Sequence, residues 1–471
     1  MTKIEQIEGI KDEEINKFKQ ARFSDDYSFI IDSNGDRVEL DDPRIVYINP
    51  EARNSYGRRL VIDLFKKYKK NIRIGKETDA SIMQYAKNIC SGRECLPSFA
   101  IAGAVLKDIN EYRKENEISI YRIPIDQHGP CQNGAWPVLW ETFAKRLNLN
   151  NAIFGAFPKY TNKFLGLNSD LIAWENIFFI LGEYITEARN ALECIAESKI
   201  EALEKFEELT NSLFENIREG RKTINTSLLK WARELSKIPL KSTVEKTPKV
   251  LIFGGLNLMF DHYPVEEFFL ERGIITKVVD IVETMSLILA ESTIRFGFKK
   301  GYINPKDQFK EEVLKTDGLN EIERKEVIRV KRNKNNFKFL ISQLKMFRKL
   351  MRKSKLLFDP FIDIVDLFNE GNKYVSLNSC TETPLITGRF LHSVKEGIYD
   401  GLINLGTFNC QPAMNSQAII RPLANKSEIA YAAIDCEGPW ISTNQRRLLE
   451  TIAIQAKRLR NEKNTLFIKE I

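Results

Sequence analysis

An α/β fold of two similar Rossmann-like or flavodoxin-like lobes, each with a parallel sheet, follows from three features of the sequence. Short β-rich apolar runs alternate with helical patterns in two separate stretches. A long Glu-rich stretch of helical periodicity lies between them. The chain of 471 residues also exceeds what one hydrophobic core normally serves.

The first alternation occupies residues 45 to about 156: VYIN near 46, a helical pattern from about 56 to 69, ISIYRIPI at 118–125, a helical pattern from about 134 to 147, and AIFGAF. From about 168 to 235 the spacing of Ile200, Leu203, Phe206, Leu209, Leu213 and Ile217 predicts long helices, read as a helical arm. The polar segment IPLKSTVEKT at 239–248 is the expected boundary. A second unit opens with KVLIFGG at 249–255, continues through PVEEFFLERG and IITKVVDIV, and resumes at GLINLGTF and IAYAAID. The expected organisation is an extension at 1–44, a first lobe with its helical arm at 45–240, and a second lobe at 245–471. The second lobe is interrupted by a basic helical insertion at about 300–356.

Composition narrows the classes. A 43% hydrophobic and 29% charged chain reads as an ordinary globular protein rather than a disordered or disulfide-stapled one. The start, MTKIEQIEGIKDEEINKF, lacks the pattern of a secretory signal. The most apolar stretch, Leu171 to Ile185, carries Glu175 and Glu183 and is too short for a bilayer, so a cytoplasmic protein without membrane contact is expected. Eleven Lys or Arg and no acidic residue fall between Arg329 and Lys355, against a chain total of +7, so the remainder is net acidic. Within that segment Phe337, Leu340, Ile341, Leu344, Phe347 and Met351 form an apolar stripe, predicting one packed face and one that attracts anions. An acidic electron donor, a phosphorylated cofactor such as coenzyme A, and nucleic acid would all suit such a face. No nucleic-acid-binding signature accompanies the charge, so nucleic acid is the least expected of the three.

The seven cysteines are too few and too scattered for a disulfide framework. Cys90, Cys95 and Cys131 belong to the first half and Cys380, Cys410 and Cys436 to the second, while Cys194 stands alone in a helix as a small buried hydrophobe. Gly and Pro surround the thiols in ICSGRECLP, HGPCQNG and FNCQP. Loops leaving the carboxyl ends of parallel strands converge on one crevice, so thiols distant in sequence can share a site. Soft thiolate ligands select iron–sulfur clusters, zinc or copper(I), and the wide spacing disfavours zinc.

Four segments in order, SGRECLPSFAIAGAVLK, IPIDQHGPCQNGAW, GLINLGTFNCQPAMNSQAIIRPL and AAIDCEGPWISTNQRRLLETIAIQAKR, resemble the cluster-bearing region of the acyl-CoA dehydratase activase-related family. That family is similar to the subunits of 2-hydroxyacyl-CoA dehydratases, benzoyl-CoA reductases and double-cubane cluster proteins. The resemblance implies a 4Fe–4S cluster in the crevice between the lobes, held by Cys95, Cys131 and Cys410, with one iron left open for a substrate oxygen. Cys90, Cys380 and Cys436 depart from the family pattern. As extra ligands they would make six thiolates, enough for an 8Fe–9S double-cubane cluster.

The resemblance further implies a low-potential electron passed to an acceptor such as an acyl-CoA thioester. No G-x-x-x-x-G-K-S/T motif is present, so ATP-driven reduction is expected from a separate activator protein. A like-folded subunit or a second copy is the other expected partner. The alternatives are a non-catalytic electron-transfer or scaffold subunit, a double-cubane reductase of small molecules, and a metal-free binding protein whose thiols merely pack.

His128, three residues before Cys131, could donate a proton or bond a cluster sulfur. Glu382 and Glu437, with Glu94 and Asp435, lie beside cysteines as general acid or base candidates, or as loop caps. The two glycines of FGGLNLMF are read as a tight strand-to-helix turn, since a full G-x-G-x-x-G is missing.

Overall fold

Runs of β-branched and apolar residues form the strands, and where both sheet faces are covered they read as continuous apolar segments. The computed structural model describes residues 19–50, 55–75, 77–123, 132–155, 165–254, 263–280, 310–379 and 381–469, with Glu283, Gly297, Lys300, Gly301 and Asp307. A small antiparallel sheet comes first, β1 (Arg22–Phe23), β2 (Phe29–Ile31) and β3 (Arg37–Glu39). Its β2–β3 turn is closed by Asp32 Oδ1, which accepts from the backbone N–H of Asn34 and of Asp36, each at 2.9 Å.

Two four-stranded parallel sheets follow. The first contains β4 (Ile45–Asn49), β5 (Asn71–Ile74), β6 (Ile118–Arg122) and β7 (Ala152–Gly155), in the order β5-β4-β6-β7. The second contains β8 (Lys249–Phe253), β9 (Ile275–Val278), β10 (Gly401–Thr407) and β11 (Ala430–Cys436), in the order β9-β8-β10-β11. Both sheets have one plan: the first strand is flanked by the second and the third, and the fourth lies outside the third. The expected α/β fold with two flavodoxin-like lobes is therefore the fold observed. In such sheets the switch point, here between β4 and β6 and between β8 and β10, is where ligands bind, outside the carboxyl ends.

Among the described residues the chain divides into two compact units between Asn176 and Ile177, inside the long helix Ser169–Ile195. The helical arm, Lys199–Glu219 and Ile224–Leu235, groups with the second sheet. Its apolar side explains why: Phe206 and Trp231 meet edge to face at 5.7 Å, and helix Ile224–Leu235 packs on the basic helix Glu321–Met351. No described helix is long and apolar enough to cross a membrane.

In each unit a short helix precedes the one that leads into the third strand, and a glycine sets how closely the two cross. A Cβ on Gly103 of helix Leu96–Glu111 would lie 2.0 Å from the Ile82 carbonyl oxygen of helix Ala80–Ala86. On Gly388 of helix Thr383–Glu396 it would lie 1.9 Å from the Leu367 oxygen of helix Ile364–Gly371. Since the obstacle is backbone, no side-chain rotation relieves it.

The core of the second unit contains charge. Glu187 accepts from Arg348 Nη2 at 2.8 Å and from the backbone N–H groups of Phe358 (2.8 Å) and Asp359 (3.0 Å), with Lys277 Nζ at 3.2 Å. Lys277 also bonds Asp280. Asp359 accepts from Arg389 Nη2 at 2.9 Å and from the Tyr399 hydroxyl at 2.5 Å, and its carbonyl accepts from Arg348 Nε at 2.7 Å. Glu283 lies 3.5 Å from Arg389 Nε. Burial pushes the Glu283 carboxyl up to about 7, opposed by Arg389 and reinforced by Asp359 and Asp280.

Two predictions follow from this packing. Gly388→Ala should cost about 3 kcal/mol in urea unfolding, whereas Gly220→Ala, with open space around it, should change stability little. The raised carboxyl at position 283 favours folding only while protonated, so its contribution fades as pH climbs from its ordinary value of 4.5 through about 7. Glu283→Gln should therefore gain roughly 2 kcal/mol over wild type on going from about pH 5 to about pH 8. Denaturant midpoints at both pH values check this, and an equal difference at each would contradict it.

Candidate functional site

Two of the expected ligand cysteines occupy equivalent local structures. Cys95 is the residue before helix Leu96–Glu111, with extended dihedrals (φ −62°, ψ 147°) and Pro97 in the first turn. Cys410 precedes helix Gln411–Ala424 in the same manner (φ −80°, ψ 112°), with Pro412 in the first turn. Proline suits that turn because its missing N–H has no helical partner to lose. Neither thiol caps its helix. Each is only 8% exposed and sits where backbone N–H dipoles favour negative charge.

In the first unit the Cys95 loop is fixed from two sides. Glu94 accepts from Ser91 N–H (2.9 Å), Ser91 Oγ (3.0 Å) and Gly92 N–H (2.9 Å). Burial works against ionisation of this carboxyl, but those hydrogen bonds prevail and hold it below its usual range. Glu94 therefore serves as a loop cap. From the other side, the Cys95 N–H donates to Gln132 Oε1 at 2.8 Å. Gln132 directly follows Cys131 in sequence, so a side chain of the GPCQNG segment is locked onto the backbone of the GRECLP segment. Cys131 and His128 themselves lie outside the described residues. Cys90 is half-buried beside this loop, and burial followed by the charge of Glu94 pushes its thiol up to about 12.

In the second unit Asn409, in a left-handed conformation (φ 58°), turns the chain from the end of β10 into Cys410, whose N–H donates to the Thr407 carbonyl at 2.9 Å. Thr407 pairs with Cys436 across β10 and β11. Cys436 packs against the apolar cluster that includes Ile434, Leu449 and Ile452, and burial, then Asp435, pushes its thiol up to about 12. The environment is that of a small apolar residue. Asp435 is exposed and accepts from Gln417 Nε2 at 2.7 Å, and Glu437 is exposed.

Glu382 stands before helix Thr383–Glu396, and burial raises its carboxyl. That helix is brought to the Cys410 helix by packing and by Thr383 Oγ1 donating to the Pro412 carbonyl at 3.4 Å. Cys380 lies outside the described residues. Cys194 is buried in helix Ser169–Ile195, its thiol also pushed up to about 12 by burial.

Among the eight buried side-chain nitrogen and oxygen atoms that have no hydrogen-bond partner among the described residues are three donors, Trp136 Nε1, Ser379 Oγ and Thr407 Oγ1. Each belongs to a cysteine-bearing segment: Trp136 is five residues after Cys131, Ser379 adjoins Cys380, and Thr407 is three residues before Cys410. Buried donors normally find partners, and a thiolate or sulfide would be a weak acceptor for the donor in each of these segments taken by itself. Gln132, Trp136, Ser379 and Thr407 were not singled out from sequence. Their only signal there is adjacency to a cysteine, which does not reveal an amide aimed at one loop or a hydroxyl without a partner.

Cys95 belongs to the first unit and Cys410 to the second. No three His, Cys, Asp or Glu side chains among the described residues group closely enough to hold a metal ion, and Cys131 lies outside that set. Comparison of the chain with protein-family models and with curated proteins finds no match.

Proposed function

We propose that the chain is an iron–sulfur protein of the 2-hydroxyacyl-CoA dehydratase type, binding a 4Fe–4S cluster through Cys95, Cys131 and Cys410. In this reading a separate ATP-dependent activator reduces it, and the acceptor is a substrate such as an acyl-CoA thioester. The observation that carries the reading is the Gln132 side chain on the Cys95 backbone, which ties together two segments whose thiols would have to act jointly. Cys410 repeats the helix-start setting of Cys95.

When bound, the cluster would supply low-potential electron transfer to a group reaching its open iron. The chain's own part is positional. Pro97 and Pro412 start the helices directly after the cysteines, Gln132 and Glu94 hold the Cys95 loop, and Thr407, Ser379 and Trp136 offer donors to sulfur, which tunes a cluster's potential. Glu382, whose neutral form is favoured by burial, is the better placed of the two proposed acids to hold a proton; Glu437 is exposed. The single cubane is the form proposed; the 8Fe–9S form, with Cys90, Cys380 and Cys436 as further ligands, is its alternative. A cytoplasmic location would suit the oxygen sensitivity of such a site.

Anaerobically prepared wild-type protein should be brown, with about four irons and four sulfides per chain. Cys95→Ala, Cys131→Ala and Cys410→Ala should each lose most of the iron, whereas Cys90→Ala, Cys436→Ala and Cys194→Ala should keep it. About eight irons, halved by Cys90→Ala or Cys436→Ala, would replace the single cubane by the double one, and colourless protein free of iron and sulfide would end the reading. Gln132→Leu removes only the acceptor for the Cys95 N–H. It should leave the fold intact by circular dichroism but speed cluster loss to a chelator about tenfold, an effect absent if the two loops do not act together.

A further inference from the structure

Two helices of the second unit that pack side by side are both basic where they meet solvent. Helix Ile224–Leu235 buries Ile224, Leu228, Trp231, Ala232 and Leu235 and exposes Lys230 and Arg233, with exposed Lys222 and Lys237 just outside its ends. The second half of the basic helix Glu321–Met351 buries Leu344, Phe347 and Met351 and exposes Lys338, Lys345 and Lys349. The short turn Arg352–Ser354 that ends it exposes Arg352 and Lys353. Helix Ile224–Leu235 packs on both: Asn225 Nδ2 lies 3.4 Å from Met346 Sδ, and the turn lies against the same helix. The line of contact thus passes between Lys230 and Arg233 on one helix and Lys349 and Lys353 on the other. Each helix buries its apolar side, so these cations border the solvent side of the junction.

Carboxylates meet this surface at its margins. Glu234 pairs with Lys237 at 2.7 Å and Glu311 with Lys334 at 3.1 Å. Helix Lys199–Glu219, held to helix Ile224–Leu235 by Trp231 Nε1 donating to Thr210 Oγ1 at 3.2 Å, exposes Glu204, Glu208, Glu215 and Glu219 and bounds the basic area. No large apolar side chain is exposed among the described residues of 222–237 and 340–355. That composition selects among anionic partners. The centre of a protein interface favours aromatic residues and Arg and is depleted of Lys, and a helix that lies on lipid needs its apolar side free, whereas here that side is buried. A phosphate backbone asks only for cations and donors. Single strands also need aromatic platforms on which bases stack. Packed helices stand about 8–10 Å apart, so two rows of cations at that separation match the phosphates bordering a duplex groove about 12 Å wide.

We propose that this two-helix surface binds duplex nucleic acid through its phosphate backbone, without sequence preference, a groove of the duplex lying along the junction of the helices. The sequence ranks nucleic acid last because it displays one basic helix and no binding signature. The second row of cations comes from a segment that only packing brings alongside, Asn225 and Met346 being 121 positions apart. The inference is independent of the iron–sulfur reading, since none of these cations lies in a cysteine-bearing segment.

Fluorescence anisotropy of a labelled DNA duplex of about 20 base pairs, titrated with the full chain, tests it. Binding should be micromolar or tighter at about 0.05 M salt and weaken as salt rises, with a log–log slope of about −5 for about six neutralised phosphates. An RNA duplex of equal length should bind comparably. Lys230→Gln with Arg233→Gln should reduce the slope by about 2, and Lys345→Gln with Lys349→Gln and Lys353→Gln by about 3, each set weakening binding at least about tenfold at about 0.1 M salt. All five positions are exposed, so circular dichroism and iron content should match wild type. Lys66→Gln with Lys67→Gln, exposed on the first unit, should leave binding unchanged. Absence of binding at low salt, a slope altered by the substitutions of one helix only, a single strand bound more tightly than the duplex, or anionic phospholipid vesicles bound in its place would each overturn the proposal.

Discussion

The buried carboxylates of Glu187 and Asp359 are the constraint on which the second unit is built. Between them they gather Lys277 from β9, Arg348 from the basic helix, Arg389 from helix Thr383–Glu396, Tyr399 ahead of β10, and two backbone N–H groups. Isolated charges at such depth would be prohibitively costly, and removing one partner from a buried pair typically costs about 3–5 kcal/mol because the other charge is left stranded. The arrangement is exacting rather than strongly stabilising, since apolar replacements of equal volume often match buried ion pairs in energy. What it contributes is register. Arg389 is one residue beyond Gly388, so the electrostatic anchor and the close backbone crossing act on the same turn of one helix. That helix begins beside Pro412 and hence beside Cys410.

A similar logic, with different residues, orders the first unit. Arg73 on β5 bonds Asp108 of helix Leu96–Glu111 and Glu117 ahead of β6, and Tyr121 on β6 donates to Asp108 at 3.0 Å. The helix that starts at Cys95 is thus pinned near its far end by charge, at Gly103 by backbone proximity, and at its start by Gln132. Fixing a helix at three points along its length fixes the direction of its N-terminus, and with it the place where a thiol and the first backbone N–H groups are presented.

The alternation of apolar runs made the sheets legible in the sequence: VYIN, ISIYRIPI, KVLIFGG and GLINLGTF each contain an observed strand. Asn71–Ile74 did not stand out, because four residues with one arginine carry too little periodicity to separate a strand from a loop. The apolar stripe of the basic helix was legible too, with Leu340, Leu344, Phe347 and Met351 buried as the spacing predicts. Helix Lys199–Glu219 follows its pattern from Phe206 onward, whereas Ile200 at the helix start is exposed. The polar contacts were beyond reach. Glu187 and Arg348 are separated by 161 positions, and nothing local distinguishes them from the solvated charges around them. The same holds at the candidate site, where cysteine positions could be read but the amide on the Cys95 N–H could not.

Arg348 and Lys349 show how a helix resolves such a sequence. They are neighbours in a segment of uniform positive charge, yet one lies in the core and the other in water. Position 348 falls one residue after Phe347 and four after Leu344, inside the apolar stripe, so its side chain must enter the core wherever the helix packs. A guanidinium tolerates that position because its planar fork can serve a carboxylate and a carbonyl together, here Glu187 and Asp359. An ammonium there would present a compact, strongly hydrated charge without that geometry. The one deeply buried lysine of the network, Lys277, is met instead by Glu187 and Asp280 at once. Arginine therefore carries the burden inside the helices, while Lys331, Lys338, Lys345 and Lys349 keep their charge at the surface, where long-range attraction can act. One run of basic residues thus divides by helical phase into a buried part and a solvent-exposed part.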